Sequence, residues 1–227
     1  MVVSAILSTI HITLQVELVF SLIIIVALCC FFVYAGKKVM AADPLGRPKG
    51  IVLVCETGIE MVYNYMKSIM PSQFERNYYP YFAMMFVYLI CANLSGLIGF
   101  DAPTSNYSIT LAITLVTFVL IQYNAFKKKG GLTYVKELVW PPTNILSAIS
   151  PLISLSMRLF GNILSGTILM GLVYQFTGWL SGFLIPFNFL GPILAPVLHA
   201  YFDVFAGCIQ TLVFVTLSSI LIAIEAE

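Results

Sequence analysis

One arginine carries more chemical weight than any other residue of this sequence. Arg158 lies between two uncharged stretches, 138–157 and 159–202. Both read as helical membrane segments, so the guanidinium sits near mid-bilayer depth. An arginine there costs about 3 kcal/mol on insertion scales. Its pKa is too high for it to escape by losing a proton. It therefore needs a partner anion, a water-filled cavity or another subunit. At about 100° per residue, Ser147 and Ser165 fall about −20° from Arg158, Ser154 about −40° and Asn162 about +40°. These residues form one polar stripe. Thr167 faces the opposite side, and Gly161 lets a second backbone come close.

The last apolar stretch carries a second polar stripe. Asp203 and Gln210 are seven residues apart, about 20° on a straight helix, and His199 lies one turn before Asp203. Asp203 is the only acid between Arg158 and the tail Glu225-Ala226-Glu227. It either pairs with Arg158 or lines a separate polar path. A carboxylate buried in a membrane is a proton-relay candidate by default. The cysteines (Cys29, Cys30, Cys55, Cys91, Cys208) form no CxxC pair and have no histidine at metal spacing, so they read as small apolar residues. No metal or cofactor is expected.

The elements that position these residues follow from composition. The chain is 60% apolar and 9% charged, with a net charge of +1, whereas a soluble domain carries about 25% charged residues. A soluble enzyme, a disordered segment and a nucleic-acid binder are excluded on that basis. The uncharged runs 18–36, 77–100, 102–126, 138–157, 159–202 and 204–224 match the roughly 20 residues of a membrane helix. A barrel strand would need only about 10, with alternating polarity. The N-terminal residues Met1–Ile10 contain no Lys or Arg, so no signal-peptide n-region is expected and the first apolar segment is retained as a span.

Spans are expected at about 13–35, 79–99 and 107–126, followed by helices from about 144 to 177 and 193 to 224. Residues 50–70 differ, because Glu56, Glu60, Asn64 and Lys67 share one face and Val54, Met61, Val62, Tyr65 and Ile69 the other. That is an amphipathic helix lying in the interface. Pro71 and residues 72–77 read as a break. Pro141-Pro142 closes the basic segment 127–136, Asn144 is a candidate cap, and 178–192 is a loop. The last two helices exceed the bilayer thickness and must tilt steeply or break. Ten of the eleven basic residues fall on one side of this arrangement or on the interfacial helix. The positive-inside rule then puts the N-terminus outside and the C-terminus in the cytoplasm. The fold class is an all-α polytopic membrane protein, with five spans plus one interfacial helix. Its parts are an N-terminal span and interfacial helix (1–70), a helical hairpin (77–127) and a tilted helix pair (140–227).

The run Ile153-Ser154-Leu155-Ser156-Met157-Arg158-Leu159-Phe160-Gly161-Asn162 resembles subunit a of the F-type ATP synthase, the membrane stator beside the rotating c-ring. The Pro141-Pro142-Thr143-Asn144 start of the long helix and the Gln210 segment with its acidic end agree with that family. The resemblance implies that Arg158 faces the c-ring carboxylates, with Asn162 and Gln210 as polar companions. It implies that Asp203 stands in the outer half-channel and that Thr167 takes a position where many members carry Glu or His. His199 would then supply the second ionisable group. The stretch 103–110 is similar to an outer-loop motif with Asp at the position of Asn106 and Asn at that of Ser108. Asp101 is a candidate substitute there. The implied partners are the c-ring of subunit c, the peripheral stalk subunit b and the lipid bilayer, without nucleic acid. The implied ion is H+, two offset half-channels couple its flow to rotation and ATP synthesis, and the implied location is a bacterial plasma membrane. By itself the subunit would catalyse no reaction.

Two other readings are weighed against this one. A stand-alone ion channel or secondary transporter explains the polar stripe but not the Arg-Leu-Phe-Gly-Asn core, and the sequence shows no internal repeat of the transporter kind. A membrane-embedded lipid enzyme needs clusters of acids or histidines. The sequence has only His11 and His199.

Overall fold

A computed structural model of the chain describes residues 15–41, 48–70, 72–98, 102–182 and 190–226. Among them there are helices and turns and no strand. The helices are α1 (Val16–Ala41), α2 (Ile51–Ile69), α3 (Ser72–Leu94), α4 (Tyr107–Lys129), α5 (Gly131–Val139), α6 (Thr143–Gly182), α7 (Leu190–His199) and α8 (Gly207–Ala226). A π-helical segment, Ala200–Ala206, joins α7 to α8 without a break. Five stretches are long and apolar enough to cross a membrane: Val16–Ala41, Tyr78–Leu97, Tyr107–Lys129, Thr143–Gly182 and Leu190–Glu225. The chain is thus an all-α polytopic membrane protein.

The core lies where α3, α4, α6 and α8 meet over the buried face of α2. Phe82, Leu89, Leu155, Leu159, Phe214, Val215 and Ile222 fill it, with Val62 and Met66 from α2. In hydrocarbon, lipid tails are as apolar as leucine, so burial alone does not bring helices together. Close packing and hydrogen bonds do. The chain supplies both. Thr110, Thr114 and Thr117 form a fully buried row on α4, small enough for close approach. Tyr81 bonds Thr117 (2.6 Å), Tyr78 donates to Asn124 (2.7 Å), and Tyr88 bonds Ser21 of α1 (2.8 Å). Buried Asn93 is the most connected polar group. Its amide donates to the Gly207 carbonyl (3.1 Å) and to Thr211 (3.2 Å), and its carbonyl accepts from Thr104 (3.0 Å). It ties α3 to α8 and to the short turn Pro103–Ser105.

Several boundaries differ from expectation, mostly because rules for water-soluble helices were applied to membrane helices. The segment 72–77 is helical rather than a break, and Pro80 lies inside α3. Membrane helices tolerate such a proline, since neighbouring groups satisfy the freed carbonyl. Helix α6 continues through Gly178 to Gly182, an unbroken 40 residues with Pro151 inside. That is about 60 Å, twice the hydrocarbon thickness of about 30 Å, so the helix must cross at a tilt. Helix α1 runs past Gly36-Lys37-Lys38 to Ala41, with Lys38 over the Tyr34 ring at 5.0 Å. The final helix starts at Leu190, ahead of Pro192, because a proline in the first turn forfeits no hydrogen bond. The basic segment holds the short helix α5. Asn144 stands inside α6 and does not cap it; its amide donates to the Glu137 carbonyl (2.7 Å), which ties α5 to α6.

Gly207 lets α8 pass close to α3. A β-carbon there would lie 3.0 Å from Cβ of Asn93, whereas one at Gly36 would meet nothing within 4 Å. Gly207→Leu should therefore destabilise the purified protein by about 1–3 kcal/mol through overpacking, seen as a lower melting temperature in detergent. Gly36→Leu should leave it unchanged.

Candidate functional site

The polar stripe of α6 borders a strip that the chain does not cover. On one side of the helix Leu155, Leu159, Gly166 and Met170 are buried. On the other, Ile153, Met157, Leu164 and Ile168 are exposed. Arg158 and Asn162 stand between these two sides and are half-buried. Arg158 makes no hydrogen bond or ion pair with the described residues. Beside it, a β-carbon at Gly161 would meet nothing within 4 Å, so a second helix can approach there. The Asn162 Nδ2 and Gln210 Nε2 atoms are both buried and have no hydrogen-bond partner among the described residues. Buried amide donors are rarely left so.

Asp203 does not pair with Arg158. Its Oδ2 lies 2.7 Å from Nδ1 of His199, one turn earlier. Gly96 of the 3-10 turn after α3 keeps the neighbourhood open, since a β-carbon there would sit 3.8 Å from the carboxylate. The π-helical segment carries Asp203. Wider π turns advance each residue by a smaller angle, so Asp203 and Gln210 diverge by more than the straight-helix expectation. π-Segments of this kind recur at functional sites. Gln210 is buried, whereas Asp203 is partly exposed. The two therefore belong to different environments.

The remaining sequence candidates are placed as follows. Thr167 is exposed and donates to its own helix at Ile163 (3.0 Å), not toward Asp203. Ser165 donates to the Asn162 carbonyl (2.9 Å). Asn106 caps α4 by accepting from the Ser108 amide (3.0 Å), and its own amide bonds Gln15. Asn106 and Ser108 thus shape the start of α4. Asp101 lies outside the described residues. Sequence reasoning missed Asn93, Gly96 and Tyr174, whose hydroxyl is 3.3 Å from His199 Nε2. A lone Asn in an otherwise apolar run was the available signal for Asn93.

A polar cavity of about 260 Å³ opens at the basic end of the fold, lined by Gln122, Lys129, Tyr134, Glu137, Asn144, Ser147 and Glu225, among others. At about 30 Å³ per water, it holds several. Pro151 also lines it. Having no N–H, Pro151 removes the usual helical donor to the Ser147 carbonyl. Lys129 and Glu137 pair at 2.9 Å across the rim. Burial and the nearby Glu225 charge hold the Tyr134 phenol above its ordinary pKa, so it stays protonated and bonds Gln122. Ser147 belongs to the Arg158 stripe, which thus runs from this cavity toward the guanidinium.

Residues 18–223 match the family model described as ATP synthase A chain. The chain is similar to ATP synthase subunit a of Mycoplasma genitalium, with 33% identity over 86% of this chain and 74% of that protein. It is similar to the namesake of Helicobacter hepaticus, with 31% identity over 89% and 85% of the two chains. It is also similar to that of Enterococcus faecalis, with 26% identity over 91% and 92%.

If water fills the basic-end cavity, a cysteine replacing Ser147 should react quickly with a water-soluble thiol reagent added at that face. Fully buried Ser156, replaced likewise, should not react. The comparison is made by labelling vesicles in which Cys29, Cys30, Cys55, Cys91 and Cys208 have been removed.

Proposed function

Since the chain belongs to the ATP synthase A chain family, and so is an integral membrane subunit of a multi-subunit complex, we propose that it is the ion-translocating stator, carrying H+ to and from carboxylates on the c-ring of subunit c. The observation that carries this reading is an arginine at membrane depth with no partner among the described residues, beside an exposed apolar strip with open space at Gly161. The missing anion then belongs to a neighbouring subunit. A ring of helices, each with one carboxylate, supplies that anion repeatedly as it turns.

The route has two offset parts. From outside, protons reach Asp203, held by His199, and pass to a ring carboxylate. Neutralised, that carboxylate can rotate into lipid without the cost of a bare charge. After nearly a full turn it meets the water of the basic-end cavity and releases its proton toward the cytoplasm. Asn162 and Gln210 give their unpaired amide donors to the passing carboxylate or to its water. The peripheral stalk subunit b holds the stator still. The N-terminus lies outside, the C-terminus lies in the cytoplasm, and the membrane is a bacterial plasma membrane. ATP itself is made elsewhere in the complex.

Arg158 keeps the two routes apart. Its fixed charge repels a proton moving directly from one to the other, and its attraction for an ionised carboxylate holds the ring in register. One charge leaking across 100 mV dissipates about 2.3 kcal/mol. Lysine is a poor substitute, because its compact ammonium can lose its proton when desolvated and lacks the planar fork. Arg158→Ala should abolish proton-driven ATP synthesis in reconstituted vesicles while the complex still assembles. Normal synthesis by that variant would overturn the reading.

A further inference from the structure

The Asp203–His199 pair has a third member that the proposed route does not yet use. The Tyr174 hydroxyl, on α6, lies 3.3 Å from Nε2 of His199, whose Nδ1 lies 2.7 Å from Asp203. The three groups therefore straddle the two long helices. Tyr174 follows Thr167 by seven residues and so shares its face of α6, about 20° away. The Thr167 hydroxyl is turned back on its own helix, which leaves Tyr174 as the group on that face that meets the imidazole.

The chemistry of the contacts assigns the protons. An ionised carboxylate only accepts hydrogen bonds, so Nδ1 carries a proton toward Asp203. In the neutral ring Nε2 is then an acceptor, and the phenol donates to it. Two bonds on opposite ring nitrogens fix both the tautomer and the orientation. Tyr174 is exposed, whereas His199 and Asp203 are each half-buried. The series thus leads from the surface inward.

We infer that Tyr174, His199 and Asp203 form a three-group proton relay, with Tyr174 as its outer member. This rests on the reading that Asp203 receives protons from outside. A proton arriving from water binds the phenol oxygen as the phenol's own proton passes to Nε2. The Nδ1 proton moves to Asp203. One proton has entered, the phenol is restored and one carboxylate is neutralised. The ring now carries its proton on Nε2. It returns to the first tautomer by exchange with water after Asp203 has passed its proton on.

The test uses the assembled complex in vesicles, with proton-driven ATP synthesis and the 15N signals of His199 as readouts. Tyr174→Phe keeps the ring and removes the hydroxyl. It should slow synthesis several-fold and move the Nε2 signal away from that of a hydrogen-bonded acceptor. Rate and signal both equal to the unaltered complex would overturn the relay. Should the Phe variant fail to assemble, fluorotyrosine at 174 replaces it, nearly isosteric but with a more acidic phenol. The relay predicts a changed rate, and an unchanged one overturns it. Asp203→Asn separates this inference from the reading beneath it. Full synthesis in that variant removes the outer route itself, whereas loss there with normal synthesis in Tyr174→Phe removes only the tyrosine.

Discussion

A guanidinium that cannot lose its charge, placed where no counter-charge among the described residues reaches it, is the constraint on which the rest of this structure depends. It costs about 3 kcal/mol to put it there, and among the described residues nothing repays that cost. Arg158 rides on a single 40-residue helix, longer than the membrane is thick. One face of that helix is locked into the fold through Leu155, Leu159 and Met170, while its neighbouring face stays bare. The fold packs one flank of the charge and leaves the other open. The unpartnered amides of Asn162 and Gln210 obey the same logic.

Rigidity around that charge is built from polar contacts, because apolar burial cannot drive assembly in lipid. Asn93 binds α3, α8 and the outer turn in one buried cluster. Tyrosines of α3 reach α1 and α4. Directly next to the Asn93 cluster the last helix changes to π geometry at Ala200–Ala206. A π-segment loosens regular winding at some energetic cost. Here it turns Asp203 away from the line of Gln210, and the acid meets His199 rather than Arg158. Asp203 pairs with His199, and among the described residues no ion pair joins it to Arg158.

Much of this was legible in the residues themselves. The five spans and the interfacial-type helix follow from charge spacing and one amphipathic pattern. Arg158 stands out because long uncharged runs flank it, and the His199–Asp203 pair follows from i,i+4 spacing. What stayed hidden has physical causes. Gly178 and Pro192 looked like helix boundaries, yet α6 runs through the first and the final helix starts ahead of the second. The π-segment leaves no mark in composition. Asn144 offered a capping side chain, but the fold spends it on the Glu137 carbonyl. Tyr174 looked like one aromatic among many, since its role depends on a crossing of two helices that periodicity cannot specify. Thr167, Asn106 and Ser108 were singled out by resemblance, but the Thr167 hydroxyl bonds its own helix and the Asn106 side chain accepts from the Ser108 amide.

The central claim is that the Arg158 face of α6 meets a ring of carboxylate-bearing helices. The most direct measurement places a cysteine at Asn162 and others along the outer helix of a co-expressed subunit c, after the native cysteines are replaced, and tests for disulfide formation. The account predicts a cross-link close to the ring carboxylate, and predicts that it blocks rotation. An assembled complex giving no cross-link anywhere along that helix would contradict it, and would leave a self-contained channel or transporter as the better description of this fold.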